Sequence, residues 1–294
     1  MGLADWFKTF CGNIQVKNGA TISTRYKNIT KRLNADFWST TSDTSHSLYV
    51  GSYGRNTAIH GTSDVDMIFE LPYSVYLQYD AHRGNGQSAL LQAVRTSVMR
   101  KYPTTDIGAD GQVVVVSFGD DIRFDLVPAF ANGDGSFKHP DSNGGGSWKK
   151  TNPKPEISAI RTRNADCNGN LIRLCRMMRP WKEKMNVLIG GLLIDTLAYQ
   201  FIGSWEYRKK SYFYYDYMCR DFFEFMADQD KTQEYWKAPG SGQRVHGPKG
   251  KFQYKAKRAY NLACEAIEHE TATPKQVWSA KQKWREIFGT SFPG

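Results

Sequence analysis

The sequence predicts an α+β protein in two parts: a mixed sheet with flanking helices, then a carboxyl-terminal helical domain. Three observations carry this. The first half alternates short runs of strand-forming residues with helically spaced apolar positions. Two of those runs flank Gly119-Asp120-Asp121 and read as an antiparallel hairpin. Beyond about Asn164 the apolar spacing is helical throughout. At 294 residues the chain is long enough for two cores of moderate size. We therefore place a sheet-bearing core at 1–163 and a helical domain at 164–294.

Ile22, Tyr26, Ile29, Leu33 and Phe37 mark one face of a first helix. After the Ser/Thr-rich stretch 39–47, Leu48 to Val50 is a short strand that ends in the turn Gly51-Ser52-Tyr53-Gly54. Val65 to Leu71 is a second strand, stopped by Pro72. Leu90, Leu91, Val94 and Val98 lie at helical spacing within 86–102, with Arg100 and Lys101 placed to suit the helix dipole. Val113 to Phe118 and Ile122 to Phe130 form the hairpin. On its second strand Arg123, Asp125 and Val127 share one face, while Phe124, Leu126 and Pro128 share the other. The Gly-, Pro- and Asn-rich stretch 131–156 reads as a long loop. Helices are expected over 171–185, 188–207, 212–226, 254–267 and 276–288, with Pro180 breaking or bending the first of them.

Hydrophobic residues make up 40% and charged residues 23%, so the chain is neither disordered nor a membrane protein. The first residues lack the apolar run of a secretory signal and the motif for myristoylation, so a cytoplasmic location is expected. Five scattered cysteines without a Cys-x-x-Cys pair read as reduced, mostly buried thiols. A net charge of +10 favours polyanionic partners. The aromatic run 212–225 reads as core, and the six histidines show no metal-ligand spacing.

The strongest chemical signal is Gly51-Ser52 followed by Asp64-Val65-Asp66 at the entrance of a strand. Strand parity puts both carboxylates on one face, about 6–7 Å apart. Their repulsion is relieved by a divalent cation, and Mg²⁺ characteristically uses few carboxylates together with phosphate oxygens. Asp125, on the polar face of its own strand, is the candidate third acid for a two-metal site. The Gly51-Ser52 turn offers backbone amides and a hydroxyl to phosphate oxygens.

The run from Gly51 to Ile59, Ser63-Asp64-Val65-Asp66, and Asp125 within Ile122 to Pro128 together resemble the polymerase-beta-type nucleotidyltransferase superfamily. More narrowly they resemble its bacterial second-messenger branch, related to animal cyclic GMP-AMP synthase and oligoadenylate synthetase. Trp148 and Thr151-Asn152-Pro153 resemble that branch's Trp-containing loop, and Arg173 to Trp181 its basic helix that meets the triphosphate. Trp284 to Gly289 and Phe292-Pro293 are similar to the ending of many members. Two positions depart: Arg179 stands where relatives often carry Lys, and Gly190-Gly191 where they tend to carry Ser.

The resemblance implies a polymerase-beta-like core whose Asp64, Asp66 and Asp125 hold Mg²⁺, or Mn²⁺, and catalyse the joining of ATP or GTP into a cyclic di- or trinucleotide. Gly51, Ser52, Arg179 and Lys182 are the implied triphosphate ligands. Both nucleotides are expected in a groove between sheet and helical domain. The product is expected to reach a downstream effector in anti-phage defence, and Gly294 is a candidate for ubiquitin-like conjugation. Linear oligonucleotide synthesis, nucleotidylation of a protein or RNA, and a catalytically silent nucleic-acid-binding module are the competing readings.

Overall fold

The computed structural model describes residues 2–61, 64–248 and 251–294. In chain order it contains α1 (Leu3–Asn13), α2 (Gly19–Leu33), a π-helical turn (Asn34–Trp38), β1 (Ser47–Tyr49), α3 (Gly51–Gly54), β2 (Val65–Glu70), α4 (Tyr73–Asp80) and α5 (Gly86–Lys101). Then come β3 (Asp106–Asp110), β4 (Val113–Ser117), β5 (Arg123–Ala131), β6 (Phe137–Asp141), β7 (Ser147–Thr151) and α6 (Pro153–Asp166). The remainder is α7 (Asn170–Lys184), α8 (Gly191–Ser204), α9 (Tyr215–Ala227), β8 (Tyr235–Lys237), β9 (Arg244–His246), α10 (Phe252–Thr271) and α11 (Val277–Phe288). The expected mixed sheet with helices and a helical carboxyl-terminal part is present.

The chain forms two compact units. One comprises Lys17–Arg55 and Ser63–Ile157; the other comprises Met1–Val16, Asn56–Thr62 and Ser158–Gly294. A single cut at 163 therefore does not describe which segments cluster together. Residues 2–16 and 56–61 pack with the carboxyl-terminal helices.

In the sheet unit the strand order is β1-β2-β5-β4-β3, with β6 and β7 continuing from the far end of β5. β2 runs parallel to β5, and the other pairs are antiparallel. Strand parity decides what each face does. Val65, Met67, Phe69, Phe124 and Leu126 are fully buried on one face, and α5 contributes the buried Leu90, Leu91, Val94 and Val98. The opposite face carries Ile68 and Ala129, which pack with Val50 and Phe137 in a second, smaller core.

The Ser/Thr-rich lead into β1 is held by one buried side chain, Asn34, at the π-helical turn. Its amide donates to the carbonyl oxygens of Ser42 at 3.0 Å and Ser45 at 2.9 Å, and its oxygen lies 2.7 Å from His46 Nδ1. The Ser/Thr-rich residues are thus tied to the π-helical turn.

Several expectations need correction. The 131–156 stretch is not a long loop: Phe130 pairs with Lys138, and Phe137 with Thr151, so β5, β6 and β7 form a meander. The Gly- and Asn-rich residues are its two tight turns. One is closed by Asp134 accepting from Ser136 N at 3.0 Å, the other by consecutive left-handed glycines at 144–146. Pro180 does not break α7, which runs unbroken through it; the proline lies on a buried helix face whose packing outweighs the local penalty. β3, an edge strand rich in Asp and Gly, and the short α4 had no pattern strong enough to mark them.

In the helical unit Trp6, Phe7 and Phe10 of α1 meet the far end of the chain. Phe7 packs edge-on against Trp284 at 5.2 Å, and Phe10 lies 4.7 Å from Phe288. The aromatic run of α9 is core as expected, with Tyr215, Met218, Phe222 and Phe223 buried. Among the described residues no disulfide is formed, and Cys167, Cys175 and Cys219 are buried. Among the described residues no helix is long and apolar enough to cross a membrane. Because Trp284 is fully buried among aromatic rings, Trp284→Ala is expected to cost about 3–5 kcal/mol of stability, measured by denaturant unfolding.

Candidate active site

The parallel β2–β5 pair sets Asp66 opposite Asp125 in register. Adjacent strands lie about 4.8 Å apart, so these two side chains leave the same face as nearest neighbours. Asp64 precedes β2 with the same parity but lies at its exposed entrance. The tightest acid pair therefore joins two strands, and the Asp-Val-Asp repeat contributes the outer member. Ser63, part of the expected motif, lies outside the described residues.

Asp66 is half-buried, and its proton affinity shows the strain of the arrangement. Burial, then the charge of Asp125, raise its pKa from 3.8 to about 6; Asp64 adds to the rise and Arg55 opposes it. The carboxylate is cradled by the turn after β1. Gly51 has a left-handed backbone (φ +57), and a Cβ placed there would fall on Asp66 Oδ2. Glycine at 51 is thus required twice, by its backbone and by the carboxylate behind it. The turn is tied to β2 by Val50 N, which donates to the Asp66 carbonyl at 3.0 Å. Ser52 follows as the second residue of the four-residue helix α3.

Arg123 was not among the expected site residues, although its parity with Asp125 was visible in the alternation of β5. Its Nε donates to Asp125 Oδ1 at 2.9 Å and lies 3.8 Å from Asp64 Oδ2. A guanidinium thus stands against two of the three acids. Among the described residues no three His, Cys, Asp or Glu side chains form a closed metal cage. The donor set still suits Mg²⁺ or Mn²⁺. It is all carboxylate oxygen, two acids are held side by side, and such ions keep several positions for water and phosphate.

The structure gives the two basic residues expected at the triphosphate different surroundings. Arg179 of α7 is buried in the helical unit, where Nη2 donates to Asp195 Oδ1 at 2.6 Å and Nη1 to the Gly191 carbonyl at 3.0 Å. Thr57 Oγ1 completes the cluster by donating to Asp195 Oδ2 at 2.8 Å. This is an internal ion pair whose donors face protein groups, so the expectation of a phosphate-facing Arg179 is not met by its geometry. One turn earlier Arg176 holds Asn56, donating to its carbonyl at 3.1 Å and its Oδ1 at 2.7 Å. Lys182 remains half-exposed, 3.7 Å from Glu183. Trp148, on β7, donates to Asp80 Oδ1 at 2.8 Å.

Residues 1–164 match the family described as Second Messenger Oligonucleotide or Dinucleotide Synthetase domain. A probable cyclic nucleotide synthase of Bacillus cereus is 22% identical, over 83% of this chain and 81% of that protein. Among solved structures, CdnC of Escherichia coli in its complex with HORMA-deltaN aligns with a TM-score of 0.69 at 14% identity, covering 99% of this chain and 98% of that one. CdnG of Bradyrhizobium diazoefficiens in complex with GTP aligns with a TM-score of 0.69 at 11% identity, covering 98% and 95%.

Two predictions follow from the geometry of the acids. Since Asp66 has a folded-state pKa of about 6, above its ordinary 3.8, the stability it contributes is present below that lower value and lost as pH rises through 6. Metal-free Asp66→Asn is therefore expected to unfold about 1–2 kcal/mol later than wild type at neutral pH. Denaturant titrations should show the gap closing as pH falls towards the lower value; a constant gap would contradict the assignment. Gly51→Ala is expected to lose about 1–2 kcal/mol from its backbone alone, as should Gly135→Ala, where φ is also positive but nothing crowds a Cβ. In Mn²⁺ titrations followed by electron paramagnetic resonance, Gly51→Ala should lose affinity and Gly135→Ala should not.

Proposed function

The chain belongs to the Second Messenger Oligonucleotide or Dinucleotide Synthetase family, and from that footing we propose that it joins ATP or GTP into a cyclic di- or trinucleotide with release of pyrophosphate. It is a nucleotidyltransferase of the cyclic-oligonucleotide-synthase type. The observation that carries the mechanism is the in-register pair Asp66 and Asp125, backed by Gly51 and joined by Asp64.

These three acids would hold the metal ions. Bound Mg²⁺ or Mn²⁺ supplies neutralisation of charge on the triphosphate and the leaving pyrophosphate, and lowers the pKa of an acceptor hydroxyl. The chain's own contribution is placement. Backbone amides of the Gly51-Ser52 turn and the Ser52 hydroxyl orient the donor's phosphates beside Asp66. Asp125 orients the acceptor ribose hydroxyl and accepts its proton as the oxygen bonds to the α-phosphorus and pyrophosphate departs. A further round with the product's own end as acceptor closes the ring.

Lys182 supplies a positive charge for the triphosphate. Arg179 contributes indirectly, by fixing Thr57 and the start of α8 through Asp195. The GTP complex of CdnG from Bradyrhizobium diazoefficiens supports nucleoside triphosphates as substrates. We assign the product to a downstream effector in anti-phage defence and the protein to the cytoplasm. Conjugation at Gly294 would require that residue to leave Lys281, whose Nζ donates to the Gly294 carbonyl at 2.6 Å.

The test is incubation with all four triphosphates and Mg²⁺ or Mn²⁺, followed by phosphatase treatment and mass analysis. A phosphatase-resistant cyclic product is expected, and Asp125→Asn should lower its rate by about 10²–10⁴-fold. A phosphatase-sensitive ladder or a labelled protein would overturn ring closure. An absence of turnover with either metal would overturn the enzymatic reading itself.

A further inference from the structure

The helical unit contains a basic cavity that the reaction does not use. It has a volume of about 740 Å³ and is walled by the end of α7 together with α10 and α11. Four of its lining residues are cations, Lys184, Lys255, Arg258 and Arg285. Among the described residues none of the four is in a salt bridge, and the acid in the wall, Glu286, is 3.4 Å from Lys283. Lys255 and Arg258 lie three residues apart on α10, where like charges share a helix face and repel. Concentrated positive charge in a concave site stabilises a polyanion.

A second feature narrows the anion. Trp278, in the first turn of α11, lines the same cavity and is 74% exposed. It lies seven residues before Arg285, so the indole and a guanidinium share one helix face. A large aromatic surface left in water beside unneutralised cations matches a ligand with both a flat ring and phosphates. The volume is that of a small-molecule site, which disfavours an extended polymer.

We propose that this cavity binds a nucleotide, with its base on Trp278 and its phosphates among Lys184, Lys255, Arg258 and Arg285. The site is assembled from one compact unit and does not depend on the three acids. It gives the enzyme a place to sense nucleotide level apart from turnover.

The test is calorimetric titration of the full chain with ATP in EDTA, which withholds metal from the acids. Binding at one site is expected, unchanged in Asp66→Asn. Trp278→Ala should weaken it at least about fivefold, from the loss of base stacking, and Lys255→Ala with Arg258→Ala should weaken it further. Adenosine and tripolyphosphate should each bind less tightly than ATP. Absence of binding, or binding that the cavity variants leave unchanged, would overturn the proposal. Equal binding of tripolyphosphate with no effect of Trp278→Ala would reduce the cavity to an anion patch. Single-stranded DNA that outcompetes ATP and is lost in the same variants would make it a nucleic-acid interface instead.

Discussion

The reaction proposed for this chain depends on two carboxylates forced side by side. Asp66 and Asp125 are register partners on parallel strands, and their hydrophobic neighbours leave no freedom to separate them. Met67 and Phe69 on one strand, and Phe124 and Leu126 on the other, are buried without residual exposure. Sliding either strand by one residue would put these side chains in water and the acids in the core. The core thus maintains a repulsion that the acids alone would avoid. Burial, with the charge of Asp125 added to it, raises the pKa of Asp66, and a cation is the natural relief.

Arg123 partly answers the same charge. Its guanidinium leans on Asp125 and approaches Asp64, while Asp66, backed by Gly51, has the charge of Arg55 opposing its raised proton affinity. The three acids are therefore electrostatically unequal. Asp64 is exposed and Asp125 half-buried, both attended by an arginine; Asp66 is half-buried and has its proton affinity raised. Arginine plays a different part in the helical unit, where Arg179 and the buried Asp195 satisfy each other and organise Thr57. Pairs of that kind cost more to break than they contribute when intact, so they act as locks on local conformation.

Much of this was legible in the residues. Period-two alternation identified the polar face of β5, and the Asp-Val-Asp repeat identified the entrance of β2, because at their acid-bearing ends both strands bury one face and alternate. Register was not legible. Nothing in a single sequence states that Asp66, and not Asp64, faces Asp125, since register is set by contacts between distant strands. The same reason explains the misread 131–156 stretch, whose strands are short and defined by pairing with β5. It also explains Arg179, whose burial depends on Asp195 in another helix. The opposite case is α2, where Ile22, Tyr26, Ile29 and Leu33 carry plain helical spacing that pointed to a core position from the start.

The parallel pairing of β2 with β5 also bears on the order in which the molecule can assemble. β4 and β5 are joined by a tight turn and can zip together early, whereas β2 must close a long loop before it reaches β5. The charge conflict at the centre therefore arises only with the long-range contact, in the same pairing that buries the aromatic and aliphatic residues of both strands. A chain that built the acids into one local hairpin would meet the repulsion at its first folding step. By splitting them between segments remote in sequence, this protein defers its least favourable contact until the rest of the sheet is there to support it.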